Sequence, residues 1–254
     1  MPRQTVFSIH SREGGTVRKL AEGIETALFV GDNVMMSVVQ SIPGAKGRLH
    51  SHPEEQWVVI LKGGGRLEVG DRPVEMQQFD VAEIPGGVPH DFVPGPDGAA
   101  ILDIFSPPRR DYLSPGEGFG TGAGPMPPQA AHDGAPNAFN LHKPRGGLRR
   151  QLADGIDAEI FVGHRLMLSV VRAAPGSKGS LHSHPEEQWG FLVEGSGTRT
   201  QDRQSITVKP GDFWLTAADV AHTFEAGPDG ALILDVFSPP REAYRRAGRG
   251  FGQA

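Results

Sequence analysis

The octapeptide His50-Ser51-His52-Pro53-Glu54-Glu55-Gln56-Trp57 recurs letter for letter as His182-Ser183-His184-Pro185-Glu186-Glu187-Gln188-Trp189. The offset is 132 residues (182 − 50), and no gap is needed to extend it in either direction. Gly14-Gly15 falls on Gly146-Gly147, Phe29-Val30-Gly31 on Phe161-Val162-Gly163, and Gly95-Pro96-Asp97-Gly98-Ala99 on Gly227-Pro228-Asp229-Gly230-Ala231. Phe105-Ser106-Pro107-Pro108-Arg109 falls on Phe237-Ser238-Pro239-Pro240-Arg241, Gly118-Phe119-Gly120 on Gly250-Phe251-Gly252, and Phe7 and His10 on Phe139 and His142. An insertion-free repeat of this length means two copies of one domain, not a solenoid of small units. The expected division is 1–120, a linker at 121–136 rich in glycine and proline, and 137–254.

Within a copy the strand signals are short and evenly spaced. They are Val34–Val39, Trp57–Leu61, Arg66–Val69 and Val74–Met76 around a Gly70-Asp71 turn, Asp80–Ile84 before Pro85-Gly86-Gly87, and Ala99–Phe105. Turn residues fill the gaps, in keeping with 35 glycines and 22 prolines. Only Arg109–Leu113 and Arg241–Ala247 read as helical. Many short strands without crossover helices predict an all-β chain of two tandem jelly-roll barrels.

A net charge of −5 without basic runs argues against nucleic acid. No apolar run approaches the roughly 18 residues of a membrane span, and residues 1–8 lack the apolar core of a signal peptide. With no cysteine, disulfides and thiolate ligands are excluded. The expectation is a cytoplasmic protein.

His90 and His222 keep the same offset, so each copy offers three histidines and a glutamine in one order: His50, His52, Gln56, His90 and His182, His184, Gln188, His222. Residues i and i+2 of a strand share a face, so His50 and His52 can reach one point. Imidazole and carboxamide donors suit a divalent transition metal, one per copy: iron, cobalt, nickel, copper, zinc or manganese. A lone His-x-His is weak evidence for this, but two pairs with the same distant partners are not. His10 and His142 read as structural, and His132 and His164 as surface residues. Trp57 and Trp189 read as core, and the four motif glutamates as solvated or paired with Lys46 and Lys178.

On these residues the chain resembles a cupin, and specifically a bicupin. The first cupin motif is met by Gly44, His50, His52, Gln56, Gly63 and by Gly176, His182, His184, Gln188, Gly195. The second is met by Pro85, Gly87, His90, with Phe79 in place of its first glycine. In the other copy Gly211 and His222 match, but Ala217 and Asp219 replace the proline and glycine. The family's glutamate ligand is glutamine in both copies. A neutral ligand leaves a stronger Lewis acid and argues against dioxygenase chemistry.

Asp103 and Asp235 lie within apolar strands, where a carboxylate is costly unless paired or used. Each is followed six residues on by Arg109 or Arg241. One reading is an Asp–Arg structural pair closing the barrel end. The other is an acid/base carboxylate beside a guanidinium that grips an anion. This spacing, with three His and a Gln, resembles the small cupin of pectin and alginate breakdown that linearises unsaturated uronates. The two-copy form also resembles the bicupin isomerase of bacilysin biosynthesis. The resemblance makes Asp103 and Asp235 proton-transfer candidates, and Arg109 and Arg241 holders of a substrate carboxylate. It implies non-oxidative proton transfer on a small acidic substrate. An iron- or copper-dependent dioxygenase and a non-catalytic metabolite-binding bicupin are the alternatives. Trp214 for Ala82 and Ser180 for Arg48 mean that the two pockets need not take the same ligand. Two fused copies could mimic the dimer of a single-domain cupin, or form a homodimer again.

Overall fold

The computed structural model describes residues 5–113, 116–120 and 137–252. The expected linker, 121–136, lies outside them. In chain order the strands are β1 Val6–Ser8, β2 Thr16–Ala21, β3 Ile24–Val30, β4 Met35–Ser41, β5 Glu55–Val69, β6 Arg72–Gln77, β7 Asp80–Ile84, β8 His90–Ser106 and β9 Ala138–Asn140. The second copy supplies β10 Leu148–Ala153, β11 Ile156–Val162, β12 Met167–Ala173, β13 Glu187–Gln201, β14 Gln204–Val208, β15 Asp212–Thr216, β16 His222–Ser238 and β17 Gly248–Arg249. The chain is all-β, as expected. The segments read as helical form only single 3-10 turns, Arg110–Tyr112 and Glu242–Tyr244.

Two compact units result. One is Gly15–Lys143; the other joins Met1–Gly14 to Pro144–Ala254. This differs from the expected boundaries at both ends of a copy. Residues 137–143 close the first unit, because β9 pairs antiparallel with β7 and Phe139 packs on Trp57, 6.3 Å between ring centroids. Residues 1–14 belong with the second unit, where β1 pairs with β15 and Phe7 stacks on Trp189 at 6.1 Å. A three-residue strand has too little pattern of its own to reveal which sheet it joins.

In the first unit the sheet order is β2-β3-β4-β8-β5-β7-β9, with β6 hairpinned on β5. The second repeats it as β10-β11-β12-β16-β13-β15-β1. The strands β5 and β8 carry the first barrel: they pair from Glu55↔Ser106 to Val69↔His90, with register shifts near Gly63. Gly63 takes φ +71°, and a Cβ there would run into the Gly98 carbonyl. This lets one long strand bend from one face of the barrel to the other. Alternate residues of these strands and of β13 and β16 fill one core per unit: Val58, Ile60, Leu67, Ile101 and Phe105 in the first, Leu192, Ile233 and Phe237 in the second.

Candidate metal centres

The histidines are fixed by backbone before any ion is considered. His50 and His90 face each other across an antiparallel bridge, exchanging N–H···O bonds of 3.0 and 2.8 Å. The Gly87 N–H donates to the His52 carbonyl at 2.7 Å and locks the second loop onto the first. The two departures from glycine keep the backbone that glycine would have allowed: Phe79 takes φ +69° and Asp219 φ +62°. His142 lies edge-on to Phe79 at 4.7 Å, a structural contact as expected.

The imidazoles are oriented as ligands. His50 Nδ1 is 2.7 Å from the Arg48 carbonyl and His90 Nδ1 is 2.8 Å from that of Val88. A carbonyl only accepts, so both Nδ1 atoms carry the proton and both Nε2 lone pairs are free. His182 and His222 repeat this against Ser180 and Val220 at 2.9 and 2.7 Å. His52 Nδ1 and His184 Nδ1 instead meet the carboxylates of Glu54 and Glu186 at 3.3 Å. In each barrel the three ligand nitrogens lie within 4.8 Å of one another. His90 Nε2 and His222 Nε2 are buried and make no hydrogen bond. Gln56 Oε1 lies 3.0 Å from His52 Nε2, and Gln188 Oε1 3.1 Å from His184 Nε2. Neighbouring ligand atoms around one ion with bonds of about 2.1 Å sit about 3 Å apart. Burial pushes His50 and His184 down to about 4 and His222 to about 2, and also lowers His90 and His182. All five are therefore neutral near pH 7, the form that ligates. The donor set fits a divalent transition metal, one site per barrel.

The glutamines do not stand alone. Gln56 Nε2 donates to Asp103 Oδ1 at 2.8 Å, and Gln188 Nε2 to Asp235 Oδ1 at the same distance. Burial raises Asp103 to about 7 and Asp235 to about 6, against the lowering effect of these bonds. This corrects the expectation of an Asp–Arg pair: the partner of each aspartate is the glutamine. Arg109 reaches the cavity wall but is only 1% exposed. It bonds Asp111 at 2.8 and 3.2 Å and the Phe119 carbonyl at 2.7 Å, and lies 3.9 Å over the Tyr112 ring. Arg241 donates to the Phe251 carbonyl at 2.8 Å and covers Tyr244, but Ala243 stands where Asp111 would. Its Nε lies 3.4 Å from the Glu186 carboxylate instead.

The motif glutamates are a second correction. They are not solvated. Glu55 and Glu187 are buried and accept from the Trp57 and Trp189 indoles at 2.8 Å, while Glu54 and Glu186 serve the histidines as described. Lys178 pairs with Glu225 instead. Trp57 and Trp189 are core residues, as expected.

Sequence reading passed over Arg18 and Arg150. Each donates to carbonyls of the tail behind its barrel, Arg18 to Glu117 and Gly118, Arg150 to Arg249 and Gly250. The held tails set Phe119 on His50 at 4.9 Å and Phe251 on His182 at 4.3 Å. Their shared offset of 132 was the available signal. No helix among the described residues is long and apolar enough to cross a membrane.

The cupin domain family matches residues 37–105 and 169–237, together more than half of the chain. Oxalate decarboxylase OxdC of Bacillus subtilis is 30% identical over 98 residues, which are 37% of this chain and 25% of that protein. The chain thus spans about a quarter of the length of the curated relative it matches. Solved structures of the same decarboxylase share the fold. An arginine-to-alanine mutant of it superposes with a TM-score of 0.69 at 18% identity over 96% of this chain and 79% of that one. A structure whose subject is the Mn(II) centres of that enzyme gives 0.68 at 18% identity, over 96% and 79%. With two matched copies and a three-histidine metal site in each, the chain belongs to the cupin family and is a metal-dependent bicupin.

Proposed function

We propose that this bicupin catalyses non-oxidative proton transfer on a small oxo- or hydroxy-acid, such as the ring opening or tautomerisation of an unsaturated uronate. The observation that carries the reading is the carboxyl group of Asp103 and of Asp235. Each stands within the barrel, bonded to the glutamine beside the histidines, with a proton affinity raised to about 7 and about 6. A general acid–base works best with a pKa near the working pH.

A divalent ion held by His50, His52, His90 and Gln56, or by their second-barrel counterparts, would supply Lewis acidity toward a substrate carbonyl or hydroxyl. The chain's own residues do the rest. Gln56 turns its oxygen to the histidines because Asp103 receives its N–H. In the second barrel the other oxygen of Asp235 is left to take a proton from a substrate carbon and return it at another. Phe251 and the apolar wall of Ile156, Val171 and Ile233 keep water from the reacting atoms. Arg109 and Arg241 frame the cavities. Arg241 lacks the two-pronged aspartate contact that holds Arg109, and is the better placed to meet a substrate carboxylate.

A second reading is decarboxylation of a small dicarboxylic acid, favoured by the 30% identity to oxalate decarboxylase. Proton NMR separates the two. An unsaturated uronate monosaccharide is incubated under nitrogen with metal-loaded protein and with chelator-stripped protein. Metal-dependent loss of the vinyl signal with a linear oxo product supports proton transfer. Release of carbon dioxide from a dicarboxylate, with the uronate untouched, supports decarboxylation. Oxygen uptake when the same mixture is opened to air would favour the dioxygenase alternative, and binding without turnover the metabolite-binding one.

A further inference from the structure

The two cavities share their histidines, glutamine and aspartate, but their walls differ in charge. At the position of Leu67 in the first cavity the second has Arg199; at Asp91 it has Thr223; at Asp111, the partner of Arg109, it has Ala243. The first two change the cavity wall and the third the surroundings of its arginine, and all three make the second site more positive. Arg199 lines it and is 3% exposed. Two further differences hold the guanidinium in place: Gln201 for Val69 and Thr216 for Ile84. Arg199 Nη2 donates to Gln201 Oε1 at 3.0 Å and to Thr216 Oγ1, and Nη1 reaches the Thr223 carbonyl at 3.4 Å. Its Nε–H is buried and meets no acceptor, and the same holds for Nη1 of Arg241. No described carboxylate forms an ion pair with Arg199 within 4 Å. Asp235 acts on it only from a greater distance.

A buried cation without an adjacent anion is costly, and so is a buried donor without an acceptor. A chain that changes three positions in one direction and builds two supports for the cation leaves a place for an anion to complete it. We infer that Arg199 is the anion-recognition residue of the second barrel, and that the carboxylate of a small organic acid binds there and not in the first. The inference rests on the proposed reading for its substrate class and assigns that substrate to one of the two sites. The first cavity has Asp91 where the second has Thr223 and Leu67 where the second has Arg199, and its Arg109 is held by two bonds to Asp111, so it disfavours an anion. Arg199, Arg241, His182 and His222 line this one cavity together.

The test is calorimetric titration of 2-oxobutyrate into the full chain loaded with zinc, beside the uncharged ketone 2-butanone. Wild-type protein is expected to bind one acid per chain and the ketone far more weakly. Arg199→Leu, which installs the residue of the first barrel, is expected to weaken the acid about 10- to 100-fold, the usual effect of losing a buried charged hydrogen bond. Two zinc ions per chain must remain, which shows that the variant is folded. Arg199→Lys keeps the charge and is expected to recover part of the affinity. Unchanged affinity in Arg199→Leu, two equivalent acid sites in wild type, or no acid binding at all would overturn the inference. Binding of one acid through Arg199 with no proton exchange would leave the inference standing and remove the proposed reaction. Proton exchange that is indifferent to Arg199→Leu would do the reverse.

Discussion

Gln56 Nε2 and Asp103 Oδ1 stand 2.8 Å apart, and Gln188 and Asp235 repeat the distance in the second barrel. The bond gives the aspartate two duties. It fixes which end of the amide faces the histidines, and it holds a carboxyl of raised proton affinity beside them.

Those duties separate by substitution. Asp103→Asn with Asp235→Asn retains a side-chain oxygen that accepts from the glutamine but removes the titrating group. Metal content is expected to stay at two per chain, while turnover of a proton-transfer substrate falls about 10²- to 10⁴-fold. Elemental analysis beside an NMR assay checks both. Turnover close to wild type would remove the aspartates from the chemistry.

Acid should act on the metal-free chain in a defined direction. Five histidines are lowered in the folded state, with the unfolded value near 6.5. Below that value the unfolded chain takes up protons that the folded chain refuses, so stability falls as pH drops from about 6.5 toward 4. Asp91, Asp103 and Asp235 are raised by burial and act oppositely, contributing stability at low pH that for Asp103 and Asp235 is lost as pH rises toward about 7 and about 6. Five groups outweigh three, so melting temperatures of the chelated protein should decline between about pH 6.5 and 4.5. A flat or rising profile would contradict the buried, neutral histidines.

The barrels pack one cross-strand pair in opposite ways. Val58 faces Ala82, whereas Gly190 faces Trp214. A Cβ on Gly190 would strike the Trp214 indole. Gly190→Val is expected to cost about 1–3 kcal/mol from overpacking. Adding Trp214→Ala recreates the first barrel's pair and should recover much of that loss. Denaturant titration of the single and double variants reads the non-additivity.

Asp219 occupies a left-handed backbone position where the other copy has Gly87, at φ +62° against +82°. Its side chain is exposed. Asp219→Gly should be neutral or stabilise by about 0.5 kcal/mol, while Asp219→Val should destabilise by about 1–2 kcal/mol. Thermal melts of the metal-loaded protein check the order.

Much of this molecule was legible in its letters. The repeat declared two domains, the short, evenly spaced apolar runs of β4, β5 and β8 declared strands, and the spacing of His50, His52 and His90 declared a metal site. Spacing could not show what each side chain would touch. Asp103 has an arginine six residues on, but the strand pairing Gln56↔Phe105 brings the glutamine to it first. Glu55 sits in a turn-rich motif and looks solvated, yet the Trp57 indole two residues away draws it into the core. The strands β1 and β9 are too short to announce their partners. Arg199 was readable only by comparing the halves where they differ, since a repeat draws attention to what it keeps.

The central claim is metal-dependent proton transfer without oxidation, and deuterium tests it most directly. A panel of small 2-oxo acids, including 2-oxobutyrate, together with an unsaturated uronate, is incubated in deuterium oxide under nitrogen with metal-loaded protein, and proton NMR follows the carbon-bound hydrogens. The account predicts exchange of hydrogen for deuterium beside the carbonyl of at least one acid, abolished by chelation and by Asp103→Asn with Asp235→Asn. Exchange that survives both treatments, or substrate consumed only when oxygen is admitted, would contradict it.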